Sequence, residues 1–287
     1  MNKPDVSVVV ANYNHSELLP EFFCGIMASD ELPKELIIVD DASTDSSLEV
    51  IGQYLKYPFI KLIELKENVG FANALNTGIR HATGKYIARI DPDDLIMPDR
   101  IARQFAFLES HPEIDVLGGN VIYFHHQSRK DILTSNFLPD HSSIYSAYCS
   151  GDHGVQHPTV MAKASVYKQY PYDQRTFPAE DYHVFARMIK DGHRFANLTE
   201  PVNRMRIHED SVSNNICFAT IDRTFSIRDE VFNRRTSQFH RRRIFLHILY
   251  YRRFLFSEGW LKRMLFLGLS SLLHPWKVLL RVRSLLS

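Results

Sequence analysis

The stretch Tyr86-Ile87-Ala88-Arg89-Ile90-Asp91-Pro92-Asp93-Asp94-Leu95 decides how the chain is organised. Its first five residues have the apolar, β-prone character of a buried strand. Three carboxylates then crowd into four residues where that strand should end. Like charges this close repel, and a fold keeps them together against a cation or a strong set of donors. Hard oxygen ligands at the carboxyl end of a parallel strand suit Mg2+ or Mn2+ holding a diphosphate. The plainer alternative is a solvated acidic turn before a helix, since Asp also favours turns and helix N-termini.

Upstream, residues 5–11 and 35–40 are short, nearly all apolar runs, as strands buried on both faces should be, and 60–65 is a third strand. Helices are expected between them at 16–27, with Ser16 as N-cap, at 46–55, with Thr44 or Asp45 as cap, and at 72–81. This alternation predicts an α/β fold, a doubly wound and mostly parallel sheet. Ligands of such sheets bind outside the carboxyl ends of the strands. The polar clusters 12–14, 40–45, 68–70 and 91–94 all follow strands, so all four converge on one rim. Downstream, Pro98 opens a helix to 110, and 114–124 and 155–161 read as strands around a weakly patterned, polar region at 125–154, a mobile or acceptor-facing loop. A helix through 190 and two strands, 195–198 and 202–207, complete this part.

The 287 residues suffice for one large domain or for a domain with an appendage. Cys24, Cys149 and Cys217 form neither a metal pattern nor a disulfide framework, which points to a reducing compartment. No secretory signal opens the sequence, and no run of about 18 uncharged apolar residues occurs. A Gly-x-Gly-x-x-Gly or Walker-type loop is missing, which disfavours a dinucleotide oxidoreductase or a P-loop ATPase. The net charge of +1 conceals a division: residues 1–215 carry a net −9 and residues 216–287 a net +10. In the second part, arginine pairs and triplets alternate with Phe, Tyr and Leu, as in amphipathic basic helices broken at Gly259 and Pro275. Residues 1–215 are therefore expected to form the α/β domain and 216–287 a basic helical tail.

The ordered set Ala11-Asn12-Tyr13-Asn14, Ile38-Val39-Asp40-Asp41-Ala42-Ser43-Thr44-Asp45, Asn68-Val69-Gly70, Asn76-Thr77-Gly78 and Gly84 to Asp94 closely resembles family 2 glycosyltransferases. Pro98-Asp99-Arg100, His157-Pro158-Thr159, Ala179-Glu180-Asp181-Tyr182 and Arg206-Ile207-His208 extend the match. The resemblance implies the GT-A fold, a nucleotide-sugar donor, a divalent metal (Mn2+ or Mg2+) and inversion at the anomeric carbon. It further implies that Asp41 accepts from a base N–H of uracil or thymine and that Ala11 lines the base through its backbone. Tyr13, Asn68, Gly70 and Asp91 join them around the nucleotide sugar, and Asp40 is either a ribose ligand or a structural partner. Asp93 comes first as metal ligand, then Asp91. His208 completes the metal shell or, with Arg206, faces the diphosphate, while Asp94 bonds backbone.

Asp181 is the implied general base, against the alternative of a helix N-cap; Glu180 is the fallback base or orients the acceptor, and His157 shapes the pocket floor. Relatives often carry Arg where this chain has Leu75. The expected function is transfer of a sugar from a UDP- or dTDP-sugar to a saccharide or lipid-linked saccharide in surface-polysaccharide synthesis. The tail would attach the enzyme to the inner face of the plasma membrane, unless its helices pack on the domain or between subunits. Nucleic acid is not an expected partner. The rivals are a sugar-nucleotide nucleotidyltransferase, which lacks its Gly-rich loop here, and a silent scaffold that binds a nucleotide sugar.

Overall fold

Val6–Asn12 (β1) is buried along its whole length, as its run of valines requires of a central strand. In the computed structural model, which describes residues 4–207, 217–256, 259–275 and 278, the chain falls into two compact units, Met1–His208 and Glu209–Ser287. The first begins β1, α1 (Leu19–Met27), β2 (Glu35–Asp40), α2 (Ser47–Gly52), β3 (Ile60–Glu64), α3 (Phe71–His81) and β4 (Tyr86–Arg89). It continues through β5 (Leu95–Ile96), α4 (Arg100–Ser110), β6 (Val116–His125), β7 (Asp131–Thr134) and α5 (His141–Ser150). A one-turn 3-10 helix (His157–Thr159), β8 (Met161–Lys163), α6 (Ala164–Tyr167), a second 3-10 turn (Gln174–Thr176), α7 (Glu180–Lys190) and β9 (Phe195–Ile207) close it.

One sheet runs in the order β3-β2-β1-β4-β8-β6-β9-β5, with β7 paired to β6. The first four strands are parallel, as is the pair β6–β9, whereas β8 runs antiparallel to both of its neighbours. Asn12 pairs with Asp40 and Asp40 with Glu64, so the carboxyl ends of β1, β2 and β3 finish level. Beneath that rim the core joins Val8, Val10, Leu36, Ile38 and Ala88 to Leu19, Phe22 and Phe23 of α1 and to Ile101 and Leu108 of α4. Each large apolar side chain among them contributes about 1.5–3 kcal/mol of transfer free energy. At Gly78 a Cβ would lie 2.5 Å from a Val9 methyl, so Asn76-Thr77-Gly78 lets α3 lie directly on β1.

Several local expectations need correction. Residues 16–18 form a turn and α1 begins at Leu19; Ser16 donates its amide to Asp45 Oδ2 at 2.9 Å and caps nothing. Asp45 does take the Ser47 amide at the start of α2. The supposed loop at 125–154 holds β7 and α5, whose N-cap Asp140 accepts from Ser143 N at 2.9 Å and whose end is the left-handed Gly151. Residues 157–159, expected in a strand, form the 3-10 turn, because Pro158 has no amide to donate to a ladder. The two strands expected at 195–207 are one, accommodated by register shifts beside Gly119 and Asn120.

The second unit holds α8 (Phe218–Val231), α9 (Gln238–Phe256) and α10 (Trp260–Leu273). Its small core joins Ile221 and Phe225 to Ile244, with Phe245 and Ile248 against them. Two of its arginines turn inward: Arg228 bonds Asp229, and Arg241 bridges Asp222 at 2.8 Å and Asp229 at 2.9 Å. Gly259, at φ +90°, caps α10.

At the amino end of β2, away from the acidic loop, buried Glu35 accepts from Ser7 Oγ, Lys61 Nζ, Thr83 N and Thr83 Oγ1. Burial alone would raise its pKa, but these donors outweigh it and hold the carboxyl at about 2. A depressed carboxylate stabilises the fold above its unfolded pKa and loses that stabilisation as pH falls towards 2. Glu35→Gln should therefore cost about 2–3 kcal/mol at pH 7 and flatten the decline of unfolding free energy between pH 5 and 2 in denaturant titrations. An unchanged pH slope would rule this out.

Candidate active site

Three of the loops at the carboxyl rim are joined by specific bonds. Asn12 Nδ2 donates to Asp40 Oδ2 at 2.8 Å, and Asp40 also accepts from the amide and hydroxyl of Ser43. Fully buried, Asp40 braces the first rim loop against the second. Asn14, at φ +57°, accepts from Thr44 N at 2.8 Å, which leaves Tyr13 exposed at the tip and Ala11 beneath it in the strand. Asp41 reaches the third loop, accepting from Val69 N at 2.8 Å and Gly70 N at 2.9 Å. Gly70 has φ +88° and the Gln174 amide group lies 2.8 Å from where its Cβ would stand, so any side chain here would be strained and would displace Gln174. Asn68 is exposed beside it.

The acidic loop is the fourth. Asp91, Asp93 and Asp94 each bring a carboxylate oxygen within 4.8 Å of the others. Arg89, buried on β4 over the ring of Phe71, pairs with both oxygens of Asp91. Arg206 is 1% exposed, donates Nε–H to the Asp93 carbonyl at 2.8 Å, and bonds Glu21 of α1 at 2.7 Å. Its own amide donates to Asp94 Oδ1 at 2.9 Å, so Asp94 does bond backbone. The other oxygen, Asp94 Oδ2, is buried with no hydrogen-bond partner, and burial followed by the charges of Asp93 and Asp91 pushes this carboxyl well above the usual range. Three hard oxygen donors, one of them orphaned, fit a divalent cation. His208 lies outside the described residues.

Below the loop, Arg100 of α4 is fully buried and donates to the carbonyls of Arg89 and Pro158 and to Asn203 Oδ1 at 2.7–3.0 Å. Burial, then the nearby charge of Arg89, lowers its pKa to about 9.

Glu180 and Asp181 open α7. The N-cap is Ala179, and Asp181 accepts from the next amide, Tyr182 N at 2.6 Å, from inside the first turn. Burial would raise its pKa, yet His153, at 3.5 Å, and the Tyr182 amide hold it below the usual carboxylate range. Glu180 is 8% exposed with Oε2 unpartnered; burial and the charge of Asp181 push it up to about 7. His157 bonds the hydroxyl of Tyr172 at 2.6 Å, and burial, reinforced by Arg89, keeps it neutral. The structure thus brings Asp91, Asp93, Asp94 and Arg206 into one cluster, Asp41 and Gly70 into a second, and His157, Glu180 and Asp181 into a third. Sequence reading did not single out Arg89, Glu21, Arg100 as a buried brace, or His153. Arg89 had a signal: it stands two residues before Asp91 and so on its side of the strand.

The glycosyl transferase family 2 profile matches residues 7–174, and the chain belongs to that family. EpsE of Bacillus subtilis (strain 168) is 36% identical over 215 residues, covering 72% of this chain and 75% of that one. The succinoglycan biosynthesis protein ExoO of Rhizobium meliloti (strain 1021) is 27% identical over 241 residues, 81% and 69% of the two chains. The S. aureus TarS fragment 1–349 in complex with UDP-GlcNAc superposes with a TM-score of 0.65 at 21% identity, over 95% of this chain and 82% of that one. The GT-A fold implied by the motifs is the fold observed.

Arg100→Met would remove the donor from Asn203 Oδ1, Gln104 Oε1 and the Arg89 carbonyl, all buried. It should lower the unfolding free energy by roughly 3–5 kcal/mol. A loss under about 1 kcal/mol in a denaturant titration would show that the brace carries little.

Proposed function

We propose that this glycosyltransferase moves a sugar, with inversion, from a UDP- or dTDP-sugar to a hydroxyl of a saccharide or lipid-linked saccharide in surface-polysaccharide biosynthesis. The observation that carries the reading is the carboxylate trio Asp91, Asp93 and Asp94, with Glu180, next to Asp181, near enough to feel the charge of Asp91. ExoO, named for succinoglycan biosynthesis, and TarS, crystallised with UDP-GlcNAc, support the polymer and donor classes.

Asp41, held by the amides of Val69 and Gly70, keeps further lone pairs for a base N–H, with Ala11 and Tyr13 flanking the base. Asn68 and Gly70 line the donor's other side, and Asp40 supports the loop that carries Asp41. Asp93 and Asp91 would hold Mg2+ or Mn2+, with His208 as a further ligand, and the orphaned oxygen of Asp94 makes it a third carboxylate for that set. When bound, the ion neutralises the diphosphate as the glycosidic bond breaks. Arg206 fixes the loop's backbone from below, and Arg89 orients Asp91.

Asp181 accepts the proton of the acceptor hydroxyl as its oxygen attacks the anomeric carbon opposite the diphosphate; one base and a good leaving group suffice for inversion. Glu180, poised near pH 7, orients the acceptor, and neutral His157 with Tyr172 forms the floor.

The tail adds peripheral contact with an anionic membrane, at the cytoplasmic face. No described helix is long and apolar enough to cross a bilayer. Yet Leu261, Leu265, Gly268 and Leu272 recur at helical spacing on α10 and are all exposed, with Trp260 and Met264 beside them. Exposed Lys262 and Arg263 complement anionic headgroups at the margins of this apolar face.

Asp93→Ala should abolish transfer and the Mn2+ dependence of donor binding, whereas Asp181→Asn should lose transfer by roughly 100-fold or more while keeping donor affinity. Wild-type turnover in Asp181→Asn would remove it as the base. For the tail, the triple change Leu261→Ser, Leu265→Ser and Leu272→Ser should weaken sedimentation with phosphatidylglycerol vesicles by about tenfold or more, each leucine contributing about 1 kcal/mol or more. Equal binding by wild type and variant would sink the membrane reading.

A further inference from the structure

The segment between α5 and the first 3-10 turn carries a side chain that no motif predicts. Gly151 ends α5 in the left-handed region, and Gly154 packs so closely that a Cβ there would lie 2.7 Å from the Ile144 side chain. His153 stands between these two glycines on a tightly defined turn. Its ring meets that of Tyr182 edge-on, with centroids 5.4 Å apart, and Nε2 lies 3.5 Å from Asp181 Oδ2. The turn is fixed to α7 from a second side, because the buried Tyr182 hydroxyl donates to the Tyr148 carbonyl of α5. His153 is therefore aimed at Asp181 by packing and not by a flexible reach. Asp181 Oδ1 is held meanwhile by the Tyr182 amide.

We propose that His153 is a positioning residue for Asp181 and that the charge on its imidazole sets the lower pH limit of transfer. This rests on the reading of Asp181 as the base. In the neutral form, Nε2–H keeps the carboxylate in place while each oxygen retains a lone pair for the acceptor's proton. In the charged form the imidazolium makes an ion pair with Asp181 and lowers its basicity, so the proton of the incoming hydroxyl is taken less readily. The groups that face this imidazole are Asp181 and Glu180 of α7, the adjacent Asp152, and His157 of the 3-10 turn. Burial opposes its charge, but the three carboxylates outweigh it and raise its pKa above the usual histidine value. His153 is charged below that raised value, so transfer should rise as pH climbs through it.

The test uses the full-length chain with Mn2+, and reads UDP release from UDP-GlcNAc, UDP-glucose or UDP-galactose, whichever turns over fastest, across roughly pH 5–9. His153→Gln keeps an N–H donor for Asp181 but cannot titrate. Its kcat on the alkaline plateau should stay within about threefold of wild type at unchanged donor KM, while the acid limb moves down by about one pH unit. His153→Ala loses the donor as well, and its plateau kcat should fall about tenfold, again with donor KM unchanged. The proposal is overturned if His153→Gln leaves the acid limb in place, and most plainly if Glu180→Gln moves that limb instead. Asp181→Asn separates the two levels: an inactive Asp181→Asn beside a wild-type profile in His153→Gln removes only the role of His153, whereas an active Asp181→Asn removes the base itself.

Discussion

A guanidinium sealed away from water underlies the carboxyl rim of the sheet. Arg100 reaches from α4 to the carbonyl of Arg89 where β4 ends, to the carbonyl of Pro158 in the 3-10 turn, and to Asn203 on β9. Burying a cation is unfavourable unless its donors are met, and here they meet acceptors in three separate parts of the chain. Because the acidic loop leaves β4 immediately after Arg89, its starting point is set by that cation. The 3-10 turn carrying His157 and the strand ending in Arg206 are set by the same group.

Above Arg100 the loop repeats the pattern with opposite charges close together. Arg89 closes on both oxygens of Asp91, and Arg206 takes the carbonyl of Asp93 on one side and Glu21 on the other. Positive charge thus lies beneath and beside the carboxylates, while an oxygen of Asp94 is left without a donor. Asp91 is held by one arginine and Asp94 by a backbone amide.

How much of this was legible depended on the reach of each signal. The parallel half, β1 to β4, reads straight from the sequence because its strands are apolar runs and its loops polar clusters. The region 125–154 read as loop because β7 is short and half-exposed and α5 carries mostly Ser and Tyr; its real markers were the cap Asp140 and the closing Gly151. The single strand 195–207 looked like two because Thr199-Glu200-Pro201 interrupts its apolar pattern, and pairing with β6 overrides that interruption. In the site, carboxylates were visible and their partners were not. Glu21 lies 185 positions from Arg206, and His153 is distant in sequence from Asp181 with no pattern linking them. Long-range pairs leave no period in a sequence.

One small feature of α3 bears on how such enzymes diversify. The Asn76 side-chain amide donates to the Tyr172 carbonyl and accepts the Tyr172 amide, both at 2.8 Å, and two residues later Gln174 accepts from Ala72 N. These three bonds stitch residues 172–174 to α3, and the family profile ends at residue 174. The stitch marks a natural seam. The parallel half of the sheet and all four rim loops lie on its amino-terminal side. Because β9 lies beyond the seam, any exchange of the chain past Gln174 has to keep Asn203 and Arg206 if the rim before it is to keep its shape.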